Sequence, residues 1–67
     1  MKLNVNDKVV ELPTGSSLSV LTKNFELDKR SGIAIAVNAE VISKSEWEKY
    51  ALKDNDNVMI IQASQGG

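Results

Sequence analysis

The sequence predicts an α+β fold in which a single helix lies across one β-sheet. Three observations carry this: apolar residues alternate at period two near the start, one short stretch repeats them at three and four residues, and two β-prone runs, "IAIAV" and "VMIIQA", follow. With 67 residues the chain forms one domain. A chain of that size buries only about 60% of the surface its unfolded form exposes. The core is therefore thin, and with no cysteine and no histidine it has neither a disulfide nor a thiolate metal cage to reinforce it.

"KLNVN" places Leu3 and Val5 on one face, Asn6-Asp7 supplies turn chemistry, and "KVVEL" resumes with Val10 and Leu12 in phase. This reads as a β-hairpin, because Asn and Asp tolerate the left-handed backbone that a two-residue connection needs. Pro13 ends the second strand, since proline cannot donate to the ladder. Ser16 or Ser17 is then placed to cap a short amphipathic helix with Leu18, Leu21 and Phe25 on its buried face and Val20 beside them. "ELDKRSG" reads as a solvated connection closing at Gly32.

"IAIAV" is apolar on both faces, as a central strand covered by the helix would be, and Gly32 and Asn38 bound it. Asn38-Ala39-Glu40 turns the chain into a short strand, "VIS", and Ser45 is placed to cap one helical turn through Glu46, Trp47 and Glu48. "LKDNDNV" is a further turn, with Asn55 where positive φ is needed, before the last strand. The core expected from these patterns comprises Leu3, Val5, Val10, Leu12, Leu18, Leu21, Ile35 and Val58.

Composition excludes several functions. A net charge of −1 is far from the basic balance that phosphate-backbone binding requires, so nucleic acid is not an expected partner. The first residues, "MKLNVNDKVV", contain no continuous apolar signal segment, and no run approaches a membrane span; a soluble, cytoplasmic protein with no membrane partner is expected. Nucleophilic dyads that need His or Cys are impossible, no P-loop is present, and "DNDN" lacks the later oxygen ligands of a calcium loop. The expectation is a protein that is not itself an enzyme, with no catalytic residues, no metal and no cofactor.

What remains is the ending, "SQGG". Two terminal glycines arise by chance in roughly 0.5% of chains, so the pair is a clue. A carboxylate that must enter another enzyme's narrow nucleotide channel is helped by glycines, which obstruct nothing. The extended chain from Ala63 to Gly67 reaches roughly 17 Å, enough to leave the globule outside. The expected organisation is a folded domain over residues 1–63 and a flexible tail over 64–67. Val9, Met59 and Ile61 fall out of phase with the core, giving a candidate apolar patch on the outer sheet face; docking and chance exposure are its two readings. Trp47 either anchors a partner or plugs the edge of the small core.

"NVND", "AIAVNAEVISKSEW", "LKDNDNVMIIQ" and the final "GG" stand in the order and spacing of the ThiS family, and the whole chain resembles these sulfur carriers of thiamine biosynthesis. Ala39 stands where that family often has glycine, Ser43 where proline is common, and Asn55 where the turn usually has glycine. The resemblance implies a ubiquitin-like β-grasp fold, a mixed sheet of four to five strands with one helix packed across it. It further implies that the Gly67 carboxylate is adenylated by an E1-like enzyme of the ThiF type. Sulfur from a cysteine desulfurase pathway then converts it to a thiocarboxylate, which a thiazole synthase of the ThiG type consumes. Gly67 would carry the sulfur, Gly66 would give clearance, and Val9, Met59 and Ile61 would dock partners. The small subunit of molybdopterin synthase and a noncovalent ubiquitin-like interaction module are the alternatives.

Overall fold

The structure is a computed structural model, and it describes residues 1–62. β1 (Lys2–Val5) and β2 (Lys8–Glu11) form the first hairpin, α1 (Leu18–Asn24) follows, and β3 (Ile33–Val37), β4 (Glu40–Ile42) and β5 (Asn57–Gln62) complete the sheet. The five strands lie in the order β2-β1-β5-β3-β4. β1 and β5 run parallel and every other neighbouring pair is antiparallel. The "IAIAV" strand is thus interior, but the middle position belongs to β5, the last strand in the sequence. The expected tail, residues 64–67, lies outside the described residues, as does Ala63.

One sheet face and α1 enclose the core. Leu3, Val5, Ile35, Val37 and Val58 point inward against Leu18 and Leu21, with Leu12, Ile42, Trp47 and Leu52 closing the edges. Val10, opposite Leu3 on edge strand β2, is only half-buried, the one exception among the expected core positions. Trp47 is a core residue: it is buried, and its indole N–H donates to the Ile42 carbonyl at 3.0 Å, which satisfies its polar end.

Three local expectations are corrected. The serine caps do not form: Ser17 occupies the N-cap position with no side-chain cap bond, and Ser16 Oγ instead donates to the Pro13 carbonyl at 2.6 Å. The orphan amides of Leu18 and Ser19 donate to the carbonyls of Tyr50 and Trp47 at 2.8 and 3.0 Å, so distant backbone does the work of a cap. Phe25 is not on the buried stripe. The helix ends at Asn24, Glu26 takes a left-handed φ of 57°, and the reversal leaves Phe25 42% exposed while turning Leu27 inward. The "ELDKRSG" connection therefore contributes a core residue, on a 3-10 turn over Leu27–Lys29. Finally, the 3-10 turn before Trp47 spans Lys44–Glu46 with Ser43, not Ser45, at its N-cap.

Candidate functional site

Residues directly opposite one another on neighbouring strands share a face, so the register builds the outer surface. Ala36 lies opposite Met59 on one side and Val41 on the other, and Ala34 lies opposite Ile61. The alanines form a low floor between longer apolar side chains: Val41, Met59 and Ile61 are 70%, 55% and 48% exposed. Val9, 69% exposed, is on the same face but stands apart, since its partner Asn4 and Asn4's neighbour Asn57 separate it from the rest. The structure thus brings Met59 and Ile61 together, sets Val9 at the far edge, and adds Val41. A three-residue strand is too short for periodicity to reveal Val41; its place beside buried Ile42 was the available signal.

Met59 and Ile61 sit on β5, the strand that leads to the chain's end. β1 pairs with only the start of β5, at Asn57 and Val58, while β3 follows it as far as Gln62. On the side that β1 leaves open, the Asn6 side chain bonds to both backbone groups of Ile60, accepting at 2.8 Å and donating at 3.2 Å. At the last described residue, Arg30 Nη1 donates to Gln62 Oε1 at 3.2 Å. Gly66 and Gly67, the expected clearance and sulfur-bearing residues, lie outside the described residues, four and five positions beyond Gln62.

The described residues show no other cluster with evident chemistry. Among them no group of three or more His, Cys, Asp or Glu side chains is placed to hold a metal ion, and no helix is long and apolar enough to cross a membrane. The Tyr50 phenol, packed against the core, is pushed above its ordinary value by burial first and by the carboxylates of Asp56 and Glu40 second. No buried side-chain nitrogen or oxygen among the described residues lacks a partner.

A family model described as the ThiS family matches residues 2–67. The chain belongs to the ThiS family. It is 26% identical over 67 residues to the sulfur carrier protein ThiS of Escherichia coli (strain K12), covering 100% of both chains. Its fold is that of a thiamine biosynthesis protein, ThiS from Geobacter metallireducens, which superposes with a TM-score of 0.83 over 100% of both chains at 22% identity. The five-stranded mixed sheet with one helix is therefore a ThiS β-grasp. The family match runs through the final glycines, which ties the ending to the folded domain that the described residues form.

Proposed function

We propose that this protein is a sulfur carrier of thiamine biosynthesis whose working group is the Gly67 carboxylate. The observation that supports this most strongly is the ThiS family match, which spans residues 2–67 and so includes Gly66-Gly67. An E1-like enzyme of the ThiF type adenylates the terminus: the carboxylate attacks the α-phosphorus of ATP and pyrophosphate leaves. A persulfide charged by a cysteine desulfurase then attacks the acyl carbon, AMP departs, and a thiol cleaves the resulting acyl disulfide, forming a disulfide with the cysteine that bore the persulfide and leaving the thiocarboxylate. A thiazole synthase of the ThiG type takes that sulfur. Catalytic groups come from the partners, and this chain is their substrate.

Gly66 keeps the channel unobstructed, because any β-branched side chain there would add bulk and stiffen the backbone. The outer sheet face, Met59, Ile61 and Val41 with Val9 at its edge, supplies the docking surface; it is apolar, and Met59 and Ile61 stand on the strand that precedes the tail in sequence. Incubation with an activating enzyme, ATP and sulfide tests the reading. Intact mass should rise by an oxygen-to-sulfur exchange and only when ATP is present. A mass unchanged by the complete mixture contradicts a carrier role.

A further inference from the structure

Asn6 holds the first turn position of the β1–β2 hairpin with φ at 48°. Turn chemistry alone does not select asparagine over glycine there, because glycine takes positive φ without steric cost. The parallel ladder between β1 and β5 supplies a second reason. Its rungs include the Asn4 amide donating to the Asp56 carbonyl at 2.9 Å and the Asn6 amide donating to the Val58 carbonyl at 3.1 Å. The next rung would have to reach Ile60, but the β1 backbone has already turned away into β2. The Asn6 side chain reaches it instead: Oδ1 accepts from the Ile60 N–H at 2.8 Å and Nδ2 donates to the Ile60 carbonyl at 3.2 Å. A carboxamide carries a donor and an acceptor side by side, as a peptide group does, so it stands in for the missing strand.

The surroundings make this contact consequential. A groove on each side of β5 flanks its end, one lined by Asp7, Asn57, Met59 and Ile61, the other by Lys8, Phe25, Leu27, Arg30 and Ile33. Asn6, Ile60 and Gln62 border both. Asn6 is therefore the post between two openings, and among the described residues it is what bonds to the β5 backbone beyond Val58 on the side opposite β3.

We infer that Asn6 is a positioning residue for activation of the terminus: by clasping Ile60 it holds the end of β5, the root from which the terminus must reach the activating enzyme. The inference rests on the carrier reading. Five residues follow Gln62, a reach of at most roughly 17 Å, so the position at which β5 is held sets the point from which the carboxylate must reach the activating site. Misplacement of a reacting group lowers the rate of the chemical step more than it weakens docking.

The test compares wild type with Asn6→Gly and Asn6→Asp. Glycine keeps the turn and deletes both bonds. Aspartate keeps the shape, but its ionised carboxylate accepts from the Ile60 N–H while setting a second oxygen against the Ile60 carbonyl. Protonated, it again offers one donor and one acceptor. In N6G the Ile60 amide should exchange with solvent about 5- to 30-fold faster than in wild type, with Ile35 and Leu21 unchanged. In N6D the excess over wild type at the same pH should shrink as pH falls through the carboxyl's pKa. Adenylation of N6G should show kcat reduced about tenfold with KM within twofold. Equal Ile60 exchange in wild type and N6G, no pH dependence in N6D, or a change confined to KM would overturn the inference. Exchange needs no partner, so it judges the clasp separately from the carrier reading; a wild type that is never adenylated overturns the carrier reading and the activation role together.

Discussion

The turn at Asn6-Asp7 and the turn at Asn38-Ala39 have nearly the same backbone, with φ of 48° and 69° in the first and 51° and 71° in the second. Each begins with asparagine, and each sends that side chain to β5. Asn38 grips the start of the strand: its Oδ1 accepts from the Asn57 N–H at 3.0 Å, its Nδ2 donates to Asp56 Oδ1 at 2.9 Å, and its own N–H donates to the Asn57 carbonyl at 2.8 Å. Asn6 grips the end, at Ile60, in an exposed setting. The Asn38 network includes the carboxylate of Asp56, which is 8% exposed and also accepts from the Lys53 N–H at 2.8 Å. Similar turns thus do different jobs: the Asn38 clasp, tied to the buried Asp56 carboxylate, holds the fold, and the Asn6 clasp holds the end of β5.

The largest loss of stability therefore comes from the Asn38 clasp, whose partner Asp56 is buried. Asn38→Gly preserves the left-handed turn but takes a donor from a buried carboxylate, where hydrogen bonds to charge are worth more. It should cost about 2–3 kcal/mol in chemical denaturation. A loss no larger than that of Asn6→Gly would erase the distinction between the two turns.

The second turn residues sharpen the comparison with the opposite sign. Asp7 tolerates positive φ, whereas Ala39 has a Cβ that the left-handed region disfavours and no polar side chain to compensate. Ala39→Gly should therefore stabilise the protein by about 1 kcal/mol, read as a raised denaturation midpoint. No gain would mean that the β3–β4 turn relaxes the strain. Asn55, also left-handed with φ of 71°, is the control: Asn55→Gly should change stability by less, because asparagine already tolerates that geometry.

Asn6→Gly comes next, with an expected cost of about 1 kcal/mol for two exposed bonds of the kind that water replaces. Smallest of all, Met59→Asp and Ile61→Asp should each alter folding by less than about 0.5 kcal/mol, since a charge on an exposed strand face stays solvated. Both should weaken binding to the activating enzyme, measured by titration calorimetry. Unfolding of either variant would contradict the outward placement of that face.

These regions also show where local pattern stops being informative. Alternation in "KLNV" and the stripe of Leu18 and Leu21 reveal buried faces because period-two and helical geometry map neighbours in sequence onto one surface. Both hairpins were legible for the same reason: turn residues act within two or three positions. The exchange of Phe25 for Leu27 was not, because it depends on Glu26 adopting a left-handed conformation that glutamate rarely takes. The cap of α1 was hidden too, since carbonyls of Trp47 and Tyr50, about thirty residues on, replace the serines. Asn6 was legible as a turn residue and silent as a clasp; its partner Ile60 is 54 positions away. In the candidate site, phase alone exposed Val9, Met59 and Ile61, but only the strand order separates Val9 from the other two and joins Val41 to them.

Underlying both comparisons is the claim that folding and sulfur carriage reside in separate parts of the chain, the folded domain and the Gly67 carboxylate. The direct measurement compares the full chain with one lacking only Gly67, first for denaturation midpoint and then by intact mass after incubation with activating enzyme, ATP and sulfide. The two midpoints should coincide, because the core and both asparagine clasps are untouched, and the full chain alone should acquire the oxygen-to-sulfur mass change. Conversion of the shortened chain at the rate of the full one would show that the diglycine ending is dispensable and that the carboxylate of Gly67 is not the carrier group.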